Sequence, residues 1–201
     1  MTYLNDDEIL IVDTNNDRIQ QINIQTGTVV KTLGKEGIGI GDFDIPGDVC
    51  LDEDRRIVVT EFCNNRIQVM SREGKTISIF GNFGAEKLKH PKSCLPYKNK
   101  FFISDTGNHC IKAFDKSGAF LHKFGKQGNQ DGQFHNPCGL LIDRSHCLLV
   151  CDQLNHRVQQ FSLDGRFTGK SITHLPSPRG IAATSDGRFL VTTPKKIFIL
   201  K

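Results

Sequence analysis

The chain has 201 residues, of which 37% are hydrophobic, and a formal net charge of +4. This composition allows one hydrophobic core or one array of repeats, and no apolar run reaches the roughly 18 residues of a membrane span. The acidic residues 1–8 lack the apolar segment of a signal peptide, and the small net charge alone does not indicate a nucleic-acid partner.

A pattern of strand, acidic residue, polar turn and strand recurs along the chain. Its acidic anchors are Asp13, Glu61, Asp105 and Asp152, and a degenerate copy near the end of the chain has Thr192 at this position. The anchors are about 45 residues apart, a spacing typical of repeat proteins.

Each repeat is predicted to contain four short strands. The first predicted strand, Ile9 to Asp13, corresponds to the second strand of a repeat. Prolines then mark the start of each new unit, at Pro46, Pro91, Pro137 and Pro178. In the unit from Pro137 the strands are predicted over 139–143, 147–152, 157–162 and 166–170. Glycine recurs at the third turn, which is typical of hairpins: Gly27, Gly74, Gly118 and Gly165.

The last unit ends with its third strand near Leu200. No segment has a helical apolar period, so we predict no helix. Four antiparallel strands per repeat indicate the blades of a β-propeller, and we assign residues 1–201 to one such all-β domain. About 18 strands, or four and a half blades, are predicted.

The predicted ends do not complement each other, because the start supplies strands two to four and the end supplies strands one to three. We therefore expect that N-terminal residues or blades are missing, and that the propeller is open relative to a six-bladed ring. Exposed edge strands favour pairing between chains, so self-association of the isolated chain is expected.

The motif Asp152-x-x-Asn155-His156-Arg157-Val158 resembles the NHL repeat, as do residues 128–137 and 178–187. The chain is similar to the NHL domains at the C-terminus of tripartite-motif proteins. The resemblance implies a six-bladed propeller preceded by RING, B-box and coiled-coil segments, of which the RING has ubiquitin-ligase activity. No zinc-ligand pattern of a RING or B-box occurs here, so this chain is predicted not to be an enzyme. Cys110 departs from the pattern, which has arginine at that position.

Three acidic anchors each have an arginine five residues later. The pairs are Asp13 with Arg18, Glu61 with Arg66, and Asp152 with Arg157. A guanidinium across a tight turn can donate to a carboxylate on the adjacent strand, so we predict structural ion pairs within the blades.

One rim of the propeller is predicted to contact a partner, because the turns between strands two and three and the loops between blades lie there. We expect protein docking, with substrate selection for ubiquitination by an absent RING domain. Sequence-selective binding of single-stranded RNA is the alternative. Phosphate contacts would come from the inter-blade loops, through Lys89, Lys92, Lys126 and Arg179, and stacking would come from the turns, through Phe62, His109 and His156. The predicted rim residues are Lys35, Phe62, Lys89, Lys92, His109, Lys126, His156, Arg179 and Lys195.

Catalysis is the third hypothesis, in the form of a metal-dependent lyase or hydrolase of the kind found on NHL-like propellers. His109 and His156 share a repeat position, but no third converging ligand is evident. We expect no metal, no cofactor and no small-molecule substrate. The seven cysteines form no CxxC pair, which favours thiols in a reducing compartment and a cytoplasmic location.

Overall fold

The computed structural model describes residues 1–200 of the chain. Within this range the helical segments are three short 3₁₀ helices, at Thr14–Asn16, Thr106–Asn108 and Gln153–Asn155. None of the described helices is long and apolar enough to cross a membrane. The remaining ordered elements are β-strands, so the predicted all-β class is confirmed.

The first two sheets each have four strands in sequential order. The first sheet contains β1 (Thr2–Tyr3), β2 (Glu8–Asp13), β3 (Arg18–Asn23) and β4 (Val29–Leu33). The second contains β5 (Pro46–Leu51), β6 (Ile57–Glu61), β7 (Arg66–Met70) and β8 (Thr76–Phe80).

Two further sheets of four strands and one of three follow, again in sequential order. The third contains β9 (Pro91–Tyr97), β10 (Lys100–Asp105), β11 (Cys110–Asp115) and β12 (Phe120–Phe124). The fourth contains β13 (Pro137–Ile142), β14 (Leu148–Asp152), β15 (Arg157–Phe161) and β16 (Phe167–Ile172). The fifth contains β17 (Gly180–Ala183), β18 (Phe189–Thr192) and β19 (Ile197–Leu200).

Strand β1 corrects the prediction that the chain begins at the second strand of a blade. Thr2 pairs with Leu10 and Tyr3 pairs with Ile9, so the first blade has a first strand of its own. Two residues are too few for an alternating pattern to be detected in the sequence. Residues 1–200 therefore contain 19 strands rather than 18, and the prediction of a propeller with fewer than six blades is confirmed.

The chain divides into two compact units. Unit 1 comprises Met1–Phe101 and Phe114–Phe120, and unit 2 comprises Phe102–Ala113 and the residues from Leu121 onward. The third sheet contributes strands to both units. A single domain over 1–201 stays a prediction.

Each unit has its own apolar core beneath the middle strands. In unit 1, Leu10, Ile19 and Phe43 pack with Val59 and Met70. In unit 2, Leu149, Cys151, Val158, Leu175 and Val191 pack together. The middle strands β6, β7, β14 and β15 are buried along their whole length, because side chains on both of their faces are covered. The turns that follow these strands are thereby fixed in position.

Candidate functional site

The turn between strands two and three is built on an acidic residue paired with an arginine. Strand pairing places Asp13 opposite Arg18, Glu61 opposite Arg66, and Asp152 opposite Arg157. The arginine Nε donates to the carboxylate at 2.7, 2.6 and 2.9 Å, respectively.

The three ion pairs differ in exposure. The side chains of Asp152 and Arg157 are 0% and 10% exposed, whereas those of Asp13 and Arg18 are 26% and 39% exposed. Because solvent screens the first-blade pair, it contributes less to stability than the buried pairs.

The two buried arginines also hold the glycine-rich segment that precedes their blade. We call residues 35–43 the unit 1 glycine loop and residues 126–134 the unit 2 glycine loop. Arg66 donates to the carbonyl oxygens of Ile38, Gly39 and Asp42. Arg157 donates to those of Gln130 and Gln133. An arginine that satisfies both a carboxylate and loop carbonyls fixes the loop against the blade.

Two amides complete this attachment in the same way in both units. Gln68 donates to the Asp42 carbonyl at 2.8 Å, and Gln159 donates to the Gln133 carbonyl at 2.8 Å. Asn64 and Asn155 each donate to the anchor carboxylate and to a glycine carbonyl, that of Gly37 or Gly128. The glycine loops are therefore parts of the blade framework.

The backbones of the two glycine loops match. Parallel bridges join Glu36 to Phe43 and Gln127 to Phe134. Gly34, with φ of +78°, packs against the ring of Phe43, so that a Cβ there would lie 2.2 Å from the ring. Glycine is required at this position for its conformation and for this close approach.

The outward-facing positions of the two glycine loops differ. In unit 1, Ile38 and Ile40 are 81% and 79% exposed. At the corresponding positions in unit 2, Asn129 and Asp131 are exposed. The unit 1 glycine loop is thus an apolar projection, and its unit 2 counterpart is polar.

The residue after each turn's asparagine has a left-handed conformation and accepts a hydrogen bond from the following inter-blade loop. Oδ1 of Asp17 accepts from the Ile45 amide, and Oδ1 of Asn65 accepts from the His90 amide, both at 2.7 Å. Nδ1 of His109 accepts from the Asn136 amide at 3.2 Å, and Nδ1 of His156 accepts from the Ser177 amide at 3.0 Å. Because this nitrogen is already used, the two histidines have a structural role at the turn.

The third blade replaces the arginine of the pattern with another cation. Lys112 lies 2.9 Å from the fully buried carboxylate of Asp105, and the Lys112 side chain is 4% exposed. Cys110 contacts the same carboxylate through sulfur at 3.9 Å. Sequence reasoning noted the missing arginine but missed Lys112. The available signal was its offset of seven residues from the anchor, where the other blades have Gln20, Gln68 and Gln159.

The structure divides the predicted rim residues between the units. In unit 1, Lys35 and Lys89 are exposed, and the half-buried Phe62 stacks on His90 with ring centroids 4.5 Å apart. The prediction that Lys92 belongs to an inter-blade loop is wrong, because Lys92 is the second residue of β9 and is half-buried. Its carbonyl accepts from the hydroxyl of Thr60, which lies on β6 of a different sheet, and this bond helps to fix its backbone.

In unit 2, the structure brings several predicted residues to consecutive turns. His109 lies beside His135, with ring centroids 5.5 Å apart, and the Leu154 amide donates to the His135 carbonyl. The exposed members in this unit are Lys126, His156, Arg179 and Lys195.

The described residues include candidate metal ligands and seven cysteines. No three His, Cys, Asp or Glu side chains within residues 1–200 lie together in a way that could hold a metal ion. All seven cysteines, which lie in this range, are thiols. Burial, followed by the proximity of Cys138 and Asp152, raises the pKa of the Cys151 thiol well above its ordinary value, so this thiol stays protonated.

Comparison with known proteins agrees with this geometry. The NHL repeat family matches residues 43–70, and a family described as a 6-bladed beta-propeller matches residues 87–186. The chain is a β-propeller that contains an NHL repeat.

Among curated proteins, this NHL-repeat chain is 29% identical to Protein brain tumor of Drosophila melanogaster over 127 residues, which are 60% of this chain and 12% of that protein. It is 39% identical to Protein lin-41 of Caenorhabditis elegans over 49 residues, which are 24% of this chain and 4% of that protein. The chain thus spans a small part of the length of these relatives. The resemblance to tripartite-motif NHL domains is confirmed.

Among solved structures, a catalytically inactive virginiamycin B lyase from Staphylococcus aureus, crystallised with quinupristin, superposes with a TM-score of 0.71. The match covers 98% of this NHL-repeat chain and 67% of the lyase at 16% identity. At this identity the likeness concerns the fold alone.

Proposed function

We propose that this chain is a non-catalytic recognition module that binds a protein partner through the unit 1 glycine loop. The observation that supports the proposal is the exposure of Ile38 and Ile40, at 81% and 79%. Burial of each isoleucine in an interface contributes roughly 1.5–3 kcal/mol.

Rigidity of the loop strengthens the proposed contact. Arg66 donates to three loop carbonyls, Asn64 donates to a fourth, and Gln68 donates to the Asp42 carbonyl that Arg66 also contacts. A loop held in one conformation loses little entropy on binding, so more of the burial energy appears as affinity.

Charge near the two isoleucines defines the partner's chemistry. The unit 1 glycine loop and the residue after it contain Glu36, Asp42 and Asp44, against Lys35 as the basic residue. Complementary charge on a partner favours encounter and correct register. The preferred partner is therefore an apolar segment flanked by lysine or arginine.

The setting of this contact is a longer cytoplasmic protein of the tripartite-motif type. There, the recognition module would select the protein that a RING domain elsewhere in the polypeptide ubiquitinates. The alignments to relatives support this setting, because each covers a small fraction of a much longer protein.

A peptide-display experiment tests the proposed contact. The chain is used to select from a random peptide library, and the enriched peptides are measured against the double variant Ile38→Asn with Ile40→Asp. This variant gives the unit 1 glycine loop the outward residues of its unit 2 counterpart. We expect enrichment of apolar–basic peptides and at least about a tenfold loss of affinity in the variant.

Ile77→Asn is the matched control, since Ile77 is an exposed isoleucine on β8, at 53%. Peptide binding by this control should equal that of the wild type. Enrichment of no peptide, or equal binding by the loop variant, would remove the proposal.

Single-stranded RNA is a second candidate, supported by charge in unit 2. Lys126, Arg179 and Lys195 are exposed and form no ion pair within residues 1–200, and the cationic Lys196 adjoins Lys195 in the sequence. Basic side chains without acidic partners can contact phosphates, and the exposed ring of His156 can stack on a base.

A further inference from the structure

A cavity of about 420 Å³ lies in unit 2, between the sheet β13–β16 and the sheet β17–β19. Its apolar wall is formed by Ile142, Leu149, Val158, Ile172 and Phe189. This volume is within the range of small-molecule sites, which is roughly 300–1,000 Å³.

Unit 1 contains the equivalent cleft, but it is nearly closed. Asp52 lines the unit 1 cleft and Asp143 lines the unit 2 cavity, and each carboxylate accepts from the backbone amide four residues later. The space in unit 1 is about 10 Å³.

Side-chain size accounts for the difference. Pro96 and Lys100 of unit 1 correspond to Ala183 and Gly187 of unit 2 in the repeat register, and all four residues line the respective spaces. The repeat therefore does not require a cavity here, and small residues keep this one open.

Polar groups inside the cavity are already satisfied. One oxygen of Asp143 accepts from the amides of Ser145 and Cys147, and the other accepts from Gln160. The carbonyl oxygen of the Gln160 side chain accepts from Thr168 at 2.7 Å. The interior of the cavity consequently favours a hydrocarbon group, which needs no hydrogen-bond partner.

Two cations lie at the edge of the cavity without an acidic partner. Lys170 is exposed and makes no ion pair within residues 1–200. Arg144 is exposed, and its guanidinium donates to the Ser185 carbonyl at 2.5 Å, across the space between the two sheets. Asp143 carries one negative charge and Lys170 and Arg144 carry two positive charges, so the net charge of the residues that line the cavity is +1.

We propose that this cavity binds a small amphipathic anion, with a hydrocarbon body against the apolar wall and a carboxylate at Lys170 and Arg144. The site is separate from the protein contact proposed for unit 1, and its ligand class follows from the apolar wall and the charge at the opening. Either site can exist without the other.

Calorimetric titration of the whole chain with laurate, below its micelle-forming concentration, tests the proposal. Dodecyltrimethylammonium, which has the same chain length and a cationic head, is the control ligand. We expect saturable binding of laurate alone, together with shifts of the Ile142 and Ile172 methyl resonances. Lys170→Ala should weaken laurate binding about fivefold, the factor that corresponds to one exposed ion pair of about 1 kcal/mol.

Two variants separate the cavity from general adhesion. Ala183→Trp should abolish binding by filling the opening at an exposed position, and Lys170→Glu should shift the preference towards the cationic amphiphile. Lys195→Ala, an exposed lysine outside the cavity lining, should bind laurate like the wild type.

Equal binding of both amphiphiles, or methyl shifts confined to residues outside the cavity, would overturn the proposal. Unchanged laurate affinity in Lys170→Glu would also overturn the proposal. Because Lys170 is exposed, this variant should fold, so the test does not depend on the folding of Ala183→Trp.

Discussion

The two glycine loops have the same framework and different exteriors. Arg66 and Arg157, with their glutamine and asparagine partners, hold both loops by corresponding hydrogen bonds, and Arg66 donates in addition to the Ile38 carbonyl. The outward residues are isoleucines in unit 1 and asparagine and aspartate in unit 2. The buried positions thus specify the loop conformation, and the exposed positions are available for recognition.

The largest expected effect tests whether the two frameworks are equivalent. Arg66→Ala and Arg157→Ala each leave a buried carboxylate without its cation, and each should lower the free energy of unfolding by about 3 kcal/mol. Urea denaturation of the two variants measures this value. The comparison fails if the two losses differ by more than about 1 kcal/mol.

Arg18→Ala is the matched control for these variants. Arg18 has the same repeat position, but its pair with Asp13 is partly exposed to solvent. Arg18→Ala should lower the free energy of unfolding by clearly less than either buried-arginine variant does. If Arg18→Ala lowered the free energy of unfolding as much as Arg66→Ala or Arg157→Ala, burial would not determine the energy of these ion pairs.

A smaller effect is expected where histidine holds the inter-blade loop of unit 2. His156→Phe removes the acceptor of the Ser177 amide and should cost about 1 kcal/mol. His156→Asn should keep both the acceptor and the left-handed conformation, as Asn65 does in unit 1. Hydrogen exchange at the Ser177 amide measures the difference.

Faster exchange in the phenylalanine variant and wild-type exchange in the asparagine variant would support the shared turn design. Equal exchange in both variants would mean that another contact holds the loop.

The smallest expected effect concerns RNA. With a random single-stranded pool, Lys126→Ala and Arg179→Ala should each reduce the slope of log affinity against log salt by about 0.7 or less. Lys35 occupies the position of Lys126 in the unit 1 glycine loop, so Lys35→Ala is the control and should leave the slope unchanged. Absence of RNA binding at low salt would remove the RNA candidate. Equal effects of all three substitutions would show that RNA binding is not confined to unit 2.

The sequence predicted the strands well because anchors and turn glycines mark their ends. In the fourth blade, the predicted strands 147–152 and 157–162 correspond to Leu148–Asp152 and Arg157–Phe161. The ion-paired residues were also placed by spacing alone, since strand pairing across a tight turn brings them opposite each other.

Other features depend on contacts that the repeat pattern does not encode. Ile38 and Ile40 alternate with glycines and resemble packing residues in sequence, but their exposure follows from how Arg66 holds the loop backbone. The unit 2 cavity results from small residues on a neighbouring blade. Lys92 was assigned to a loop because strands were expected to begin two residues after the proline, as in 139–143, whereas β9 begins at Pro91 itself.

The third blade has a consequence for how this repeat could have diverged. Asp105 is completely buried, and Lys112 supplies the cation that arginine supplies elsewhere. Positions 110 and 112 are therefore epistatic, since the effect of a change at one depends on the residue at the other. Loss of the arginine before the lysine was gained would have left a buried charge alone, so the less costly evolutionary order is lysine first.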